Sequence, residues 1–267
     1  MKKLLIGFIA IVTVLSILPF YLVFMMSTYY SNDLFKGLPF LPSDFLLKNF
    51  ETIFKTNFIQ VYGNSIIVSV SAVVLCTLVS SLVGFAIAKY KFKFKKVINN
   101  FIIITMMVPM QISIIGYLLE MKTLHLNNTL LPIILVWVSY PFGAFFMTQF
   151  IKDSIADEMI ESARIDGCSE PRIFATIVVP LIKPGIATLA TLVFLWSWNN
   201  YLLPLIIINK QQFYTIPILV STLGTAHRND LAARMCALAL SIFPVIVVFL
   251  LGSKTFIKGI SAGAVKG

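Results

Sequence analysis

Acidic side chains are scarce in this chain: Asp and Glu together number 11 among 267 residues. There are two histidines, His125 and His227, and three cysteines, Cys76, Cys168 and Cys236. These scarcities exclude several chemistries. Two histidines, each alone in its stretch, make neither a metal site nor an acid–base pair. Three cysteines, two within apolar runs and one in a charged stretch, do not make a disulfide framework. The sequence has no Gly-rich phosphate loop and no Walker sequence, so the chain cannot hydrolyse ATP itself. No catalytic residue, metal or cofactor is expected. The apolar runs also lack the carboxylates that ion-coupled carriers often place inside the membrane.

What is present is apolar: 58% of residues are hydrophobic and 12% are charged, with a mean hydropathy of +0.92. Soluble domains carry about 25% charged residues. The fold class is therefore all-α and polytopic, with the lipid bilayer as surroundings. A net charge of +10 at first suggests nucleic acid. The lysines lie beside apolar runs, however, which argues for membrane flanks and against a nucleic-acid partner.

Six runs read as spans: 4–26, 62–88, 98–119, 130–150, 186–208 and 231–256. Lys2 and Lys3 before the first run mimic a signal peptide. Its length of about 23 residues suffices to cross a bilayer, and it lacks a clear cleavage site, so an uncleaved helix is favoured. Tyr29 and Tyr30 suit an interfacial belt. Residues 31–60 read as an external loop with a short helix over 46–58. Asn64 reads as a helix cap or a packing hydrogen bond. Pro109 is either a structural kink or a bend lining a pathway. Gln111, Asn199 and Asn200 are either interhelical hydrogen-bonding groups or contacts to a transported molecule, since amides donate to and accept from hydroxyls.

Orientation follows from Lys89, Lys91, Lys93, Lys95 and Lys96, which occur together without an acid. With both termini in the cytoplasm, fourteen of the 21 basic residues lie inside, as the positive-inside rule requires. The expected location is a cell (inner or plasma) membrane, crossed several times.

One long stretch departs from this apolar pattern. Residues 152–185 contain Asp153, Asp157, Glu158, Glu161, Arg164, Asp166, Glu170 and Arg172. Ser154 and Asp157 fit a capping box. Ile155, Ala156, Met159, Ile160 and Ala163 form one stripe, and Ile173, Phe174, Ile177, Val178 and Leu181 form a second. Gly167 after Asp166 supplies a left-handed stop. Ser169-Glu170-Pro171 restarts a helix, and Pro180 and Pro184-Gly185 bend the chain as it re-enters apolar sequence. The pattern predicts an amphipathic helix–turn–helix at a membrane surface. Its acidic balance favours a docking element over a polar loop resting on anionic lipid.

Glu161-Ser162-Ala163, Asp166-Gly167, Phe174, Ile177, Pro180-Leu181 and Pro184-Gly185 resemble the EAA loop of ABC-importer permease subunits. Ser162 and Cys168 stand where that family usually has alanine, Val179 where leucine is usual, and Ala156 where proline is common. Asn64-Ser65, the exit Gly84 to Tyr90, Trp196 to Asn200 and the tail from Ser261 extend the likeness across nearly the whole chain. It is similar to the carbohydrate importers, of the type of the smaller, second permease of the maltose system.

The resemblance implies a six-helix, type I importer permease fold. It divides the chain into a first helix with its external loop (1–60), a permease core (61–257) and a cytoplasmic tail (258–267). It implies coupling to an ATPase through Glu161, Ser162, Ala163, Asp166, Gly167, Phe174 and Pro180. The implied partners are a second permease, two cytoplasmic ATPase subunits, an extracellular solute-binding protein and a sugar substrate. Gly167→Asp is expected to leave the chain inserted while releasing or uncoupling the ATPase. Two other classes stay open on the residues alone: an ATP-independent secondary carrier, and a membrane-embedded enzyme or regulator.

Overall fold

The computed structural model describes residues 2–223 and 230–264, with side chains through Gly252. His227, Arg228 and residues 265–267 lie outside the described residues. Among those described, every regular element is helical. α1 is Lys2–Met26, apolar on all sides with no residue buried. α2 is Leu46–Phe54 and α3 is Phe58–Lys89, 32 residues long. The expected single helix over 46–58 therefore ends early. Thr56 explains the break: its backbone N–H and its hydroxyl both donate to the Ile53 carbonyl, which closes the last turn locally.

α4 (Lys95–Met107) and α5 (Met110–Thr123) bend by 104° at Val108–Pro109. The proline has no N–H, and Val108 before it is extended, with φ −82° and ψ 120°. The run read as one bent span is thus two helices. α6 (Leu131–Val138) and α7 (Pro141–Ser154) are separated at Ser139–Tyr140, where Tyr140 is extended before Pro141. The charged stretch forms α8 (Asp157–Ile165), α9 (Glu170–Ile173), a π-helical turn at Phe174–Val178 and α10 (Val179–Leu181). A 77° bend leads into α11 (Lys183–Trp198), at the place where Pro184 suggested one.

α11 stops at Trp198, short of the predicted 208. The Asn199 side chain donates to the Leu195 carbonyl at 2.8 Å, and the Asn200 side chain accepts from the Leu203 N–H at 3.3 Å. One amide ends α11 and the other begins α12 (Leu202–Ile207). α13 (Ile216–Thr222) and α14 (Leu231–Ala264) complete the chain. α1, α3, the α6–α7 segment and α14 are long and apolar enough to cross a membrane. The number reaches six if each of the two bent pairs is one span.

The chain divides into two compact units. The first comprises Met1–Gly63 and Tyr214–Ile246. Its core joins Ile53, Phe58, Val61, Ile216, Leu219, Ala233 and Cys236. Buried Asn49 pins the chain after α1 by donating to the Ser27 and Tyr29 carbonyls at 2.7 and 2.8 Å. Asp230 begins α14 by accepting from the Ala233 N–H at 3.2 Å and from the Ser31 hydroxyl at 2.7 Å.

The second unit comprises Asn64–Phe213 and Val247–Gly267. One continuous core runs from Ala72 and Cys76 through Phe85, Met147 and Ile151 to Ile155, Ile160, Ile173 and Val178. The charged loop is therefore packed onto the membrane helices. α3 and α7 approach closely at two glycines. A Cβ on Gly84 would stand 2.8 Å from the Met147 carbonyl carbon, and one on Gly143 would meet the Ser80 hydroxyl. Ser80 faces Gly143 and Gly84 faces Met147, so the two helices run parallel and end on the same side. Asn64 makes the packing hydrogen bond expected of it, donating to the Gln212 carbonyl at 2.8 Å.

Candidate functional site

The site starts at the exit of α3. The Lys89 ammonium donates to the Ile155 carbonyl and pairs with the Asp157 carboxylate, both at 2.5 Å. This pair fixes where α8 begins. Ser154 is the last residue of α7, and α8 has Ala156 at its N-cap with no side-chain cap. The expected Ser154–Asp157 capping box is thus absent, because Lys89 takes the Asp157 carboxylate. That hydrogen bond, together with the lysine's charge, holds the Asp157 carboxyl below the usual carboxylate range, and Lys95 and Lys91 add to the effect.

α8 buries Ile160 and Ala163 against the core. Its other face presents Glu158, Met159, Glu161, Ser162, Ile165 and Asp166 to solvent. Met159, expected in the apolar stripe, is 44% exposed, and Leu181 in the second stripe is 42% exposed. Ile155 and Ile182 are buried nearby. Each stripe is therefore narrower than its sequence pattern. Ile165 is 86% exposed, an apolar side chain left outside the packed core.

The stop after α8 follows the glycine reading closely. Gly167 has φ +76°. Its N–H donates to the Arg164 carbonyl and the Cys168 N–H donates to the Ala163 carbonyl, both at 3.0 Å. This pair of bonds is the Schellman pattern, which satisfies carbonyls at a helix end. Nothing lies within 4 Å of a Cβ built on Gly167. The requirement for glycine there is the backbone angle, since space is not limiting.

Glu170 then ties three elements together. Its Oε1 accepts from Arg164 Nε at 2.7 Å, and its Oε2 accepts from the Tyr90 hydroxyl and, at 3.4 Å, from Arg164 Nη2. The Arg164 guanidinium sits 5.2 Å from the centre of the Tyr90 ring. The hydrogen bonds from Arg164 and then Tyr90 hold the Glu170 carboxyl below its ordinary range. Burial raises the Tyr90 phenol, and Glu170 raises it further. A cleft of about 410 Å³ lies beneath, lined by Lys89, Tyr90, Lys91, Asp157, Ile160, Glu161, Arg164 and Glu170. Lys89 and Glu170 together brace α8 and α9 against the end of α3.

Of the residues expected to meet a partner, Glu161, Ser162, Asp166, Gly167 and Pro180 are exposed. Ala163 is buried, and the half-buried Phe174 ring packs on Phe85 at 5.6 Å. Sequence reasoning missed the bracing by Lys89, Tyr90, Arg164 and Glu170. The one signal for it was the Arg164/Glu170 pair of opposite charges flanking Gly167.

A second cleft, of about 640 Å³, lies where the chain breaks at Pro109 and Pro141. Ser113, Ser139, Tyr140 and Phe142 are among the side chains lining it. Trp196 packs on two of these, with ring centres 5.6 Å from Tyr140 and 5.4 Å from Phe142. Gln111 is exposed and does not line this cleft. Asn199 and Asn200 make the local bonds that end α11 and begin α12. The structure does not gather the three amides at this cleft.

The chain has relatives in both sequence and fold. The arabinooligosaccharides transport system permease protein AraQ of Halalkalibacterium halodurans is 34% identical over 98% of this chain and 95% of its own length. The probable starch degradation products transport system permease protein AmyC of Thermoanaerobacterium thermosulfurigenes is 30% identical, over 99% of this chain and 97% of its own. In fold, the chain matches one in the crystal structure of a bacterial ABC transporter involved in the import of the acidic polysaccharide alginate. The TM-score is 0.82 at 21% identity, covering 96% of both chains. The sequence profile for "binding-protein-dependent transport system inner membrane component" matches residues 80–261, which contain α4 through α13 and the whole braced loop. With that profile over most of its length and a membrane-embedded helical fold, this chain belongs to the binding-protein-dependent transport system inner membrane component family, a transport component and not an enzyme.

Proposed function

We propose that this chain is one of two permease subunits in an ATP-driven importer of a sugar or oligosaccharide, and that α8 is where an ATPase subunit docks. The observation that carries this is the outward face of α8. It presents Glu161, Ser162, Ile165 and Asp166 from a helix that Lys89 and Glu170 brace against the end of α3. A braced helix with an exposed apolar residue amid acids suits a partner groove with an apolar floor and a basic rim.

An extracellular binding protein delivers the substrate, and a second permease completes the pathway. The substrate class rests on relatives named for arabinooligosaccharides and starch degradation products. Both termini and the 152–185 loop lie in the cytoplasm. That orientation is supported by the parallel run of α3 and α7, which puts the lysine-rich segment and the loop at one end. Closure of two ATPase subunits moves α8, and the two braces pass the movement to α3 and, through the π-helical turn, to α11. The cleft at the Pro109 and Pro141 breaks lies along the pathway. Gln111, Asn199 and Asn200, which lie outside that cleft's lining, are proposed as polar groups elsewhere along the pathway, the last two in addition to their local bonds. The permease core occupies 61–257.

The test is affinity purification in mild detergent with identification of the co-purifying chains. A second permease and an ATPase are expected. Ile165→Asp should lose the ATPase while keeping the second permease. Recovery of this chain alone, under conditions that preserve other complexes, would overturn the assignment in favour of a carrier.

A further inference from the structure

A third cleft, of about 380 Å³, opens beside the end of α3, the start of α4 and the end of α7. Lys93, Lys95, Lys96 and Lys152 line it with Asn99, while Ile87 and Phe92 form an apolar wall. No carboxylate lines it. Among the described residues, none of the four lysines forms an ion pair.

The positive-inside rule explains lysines in the 89–96 segment. It does not explain why Lys152, from the last turn of α7, converges with them. Nor does it explain the first turn of α4. Lys95 and Lys96 open that helix, no acid is present in its first turn, and Phe94 offers no side-chain cap. A helix N-terminus is already a positive pole. Lys95 donates to the Tyr90 carbonyl at 3.0 Å, but Lys96 opposes the helix dipole unless an anion sits over it, and an anion would also satisfy the open N–H groups. Local rules broken in this way point to a ligand.

We infer that this cleft binds the phosphate of an anionic phospholipid headgroup, of the phosphatidylglycerol or cardiolipin class. The location favours lipid over free phosphate. Ile103 and Met107 are 38% and 78% exposed. With Asn99, which lines the cleft, they fall at i, i+4 and i+8 and continue the cleft as one stripe down the same face of α4. That stripe offers an acyl chain a path from the headgroup into the bilayer. Basic pockets between membrane helices are a known form of headgroup site. The site requires only that these helices end at a membrane surface, and it is independent of where an ATPase docks.

Lysine acylation mapped by mass spectrometry tests this on the purified complex. The complex is placed in vesicles of phosphatidylcholine, in phosphatidylcholine with one quarter phosphatidylglycerol, or in phosphatidylcholine with added inorganic phosphate. Phosphatidylglycerol should slow modification of Lys96 and Lys152 by about five-fold or more and leave Lys91, in the same segment, less affected. The double variant Lys96→Gln/Lys152→Gln should retain less phosphatidylglycerol through purification. Lys36→Gln/Lys91→Gln, which removes equal charge elsewhere, should retain it. Equal protection of Lys91 would reduce the effect to general surface attraction and overturn the site. Equal protection by inorganic phosphate would overturn lipid as the ligand.

Discussion

Lys89 and Asp157 stand 68 positions apart in sequence and form an ion pair of unequal partners. The lysine side chain is 5% exposed and the aspartate side chain 73%. The ammonium is the desolvated member, and its contacts are the Ile155 carbonyl and one carboxylate oxygen. Lys89→Met keeps the length and removes both bonds, leaving the Ile155 carbonyl without this donor. Losing bonds to a buried group costs about 1–3 kcal/mol. The expected result is amide exchange across 155–166 faster by about ten-fold or more, read by hydrogen-exchange mass spectrometry. Unchanged exchange would show that core packing alone holds α8.

This pair also marks the limit of what the sequence could convey. Gly167 was legible because a helix stop is local: an amphipathic stripe, an Asp and a Gly suffice. Pro109 was legible as a bend for the same reason, though its 104° angle depends on packing. Ser154 was misread because Ser-x-x-Asp satisfies a local rule, while the aspartate is claimed by a lysine from another helix. Tyr90 and Glu170 are 80 positions apart, beyond any periodic pattern. By residue type alone, Asn199 and Asn200 suit interhelical or substrate-facing roles. A neighbouring carbonyl and N–H were the nearer partners. The membrane fold and the position of the loop were therefore readable, and its bracing was not.

Gly167 yields a test that separates backbone conformation from size. At φ +76° an L side chain costs about 1–2 kcal/mol, and asparagine is among the residues that tolerate it best. Open space around the Cβ position removes sterics from the argument. Gly167→Val should weaken ATPase co-purification and uptake while the chain still inserts. Gly167→Asn should restore much of both. Equal loss in the two variants would mean that the partner needs a bare glycine surface, contrary to the angle argument. The expected uncoupling by Gly167→Asp is the same experiment with a charge added.

The braces should respond to acid. Asp157 and Glu170 are both held below the ordinary carboxylate range, chiefly by hydrogen bonds from Lys89 and Arg164. A carboxyl depressed in the folded state contributes fully above its unfolded value, about 4. That contribution is lost as pH falls through the folded value. Exchange protection factors for 155–172, which divide out the intrinsic pH dependence of exchange, should stay level from neutral pH to about 4.5 and fall below about 4. Glu170→Gln should flatten part of that fall. Protection that declines between pH 7 and 5 would point to some other titrating group.

The crossing of α3 and α7 delivers Lys89 and Ile155 to the same place, and its two glycines should fail in different ways. A Cβ on Gly84 would meet backbone atoms, the Met147 carbonyl carbon at 2.8 Å and the Thr148 nitrogen at 2.9 Å. Backbone cannot rotate away, so Gly84→Ala must push the helices apart. Overpacking of this kind costs about 1–3 kcal/mol. A Cβ on Gly143 would meet the Ser80 hydroxyl first and Cys76 Sγ at 3.2 Å, both side-chain atoms. Gly143→Ala should therefore be rescued by Ser80→Gly, whereas truncating the Met147 side chain should not rescue Gly84→Ala. Thermal unfolding midpoints in detergent would read both. The Gly84→Ala protein should also exchange faster at 155–166, because separating the helices draws Lys89 away from Ile155. Rescue of Gly84→Ala by Met147→Ala would show that a side chain sets the spacing, and the parallel crossing would then be too loose to hold the charged loop.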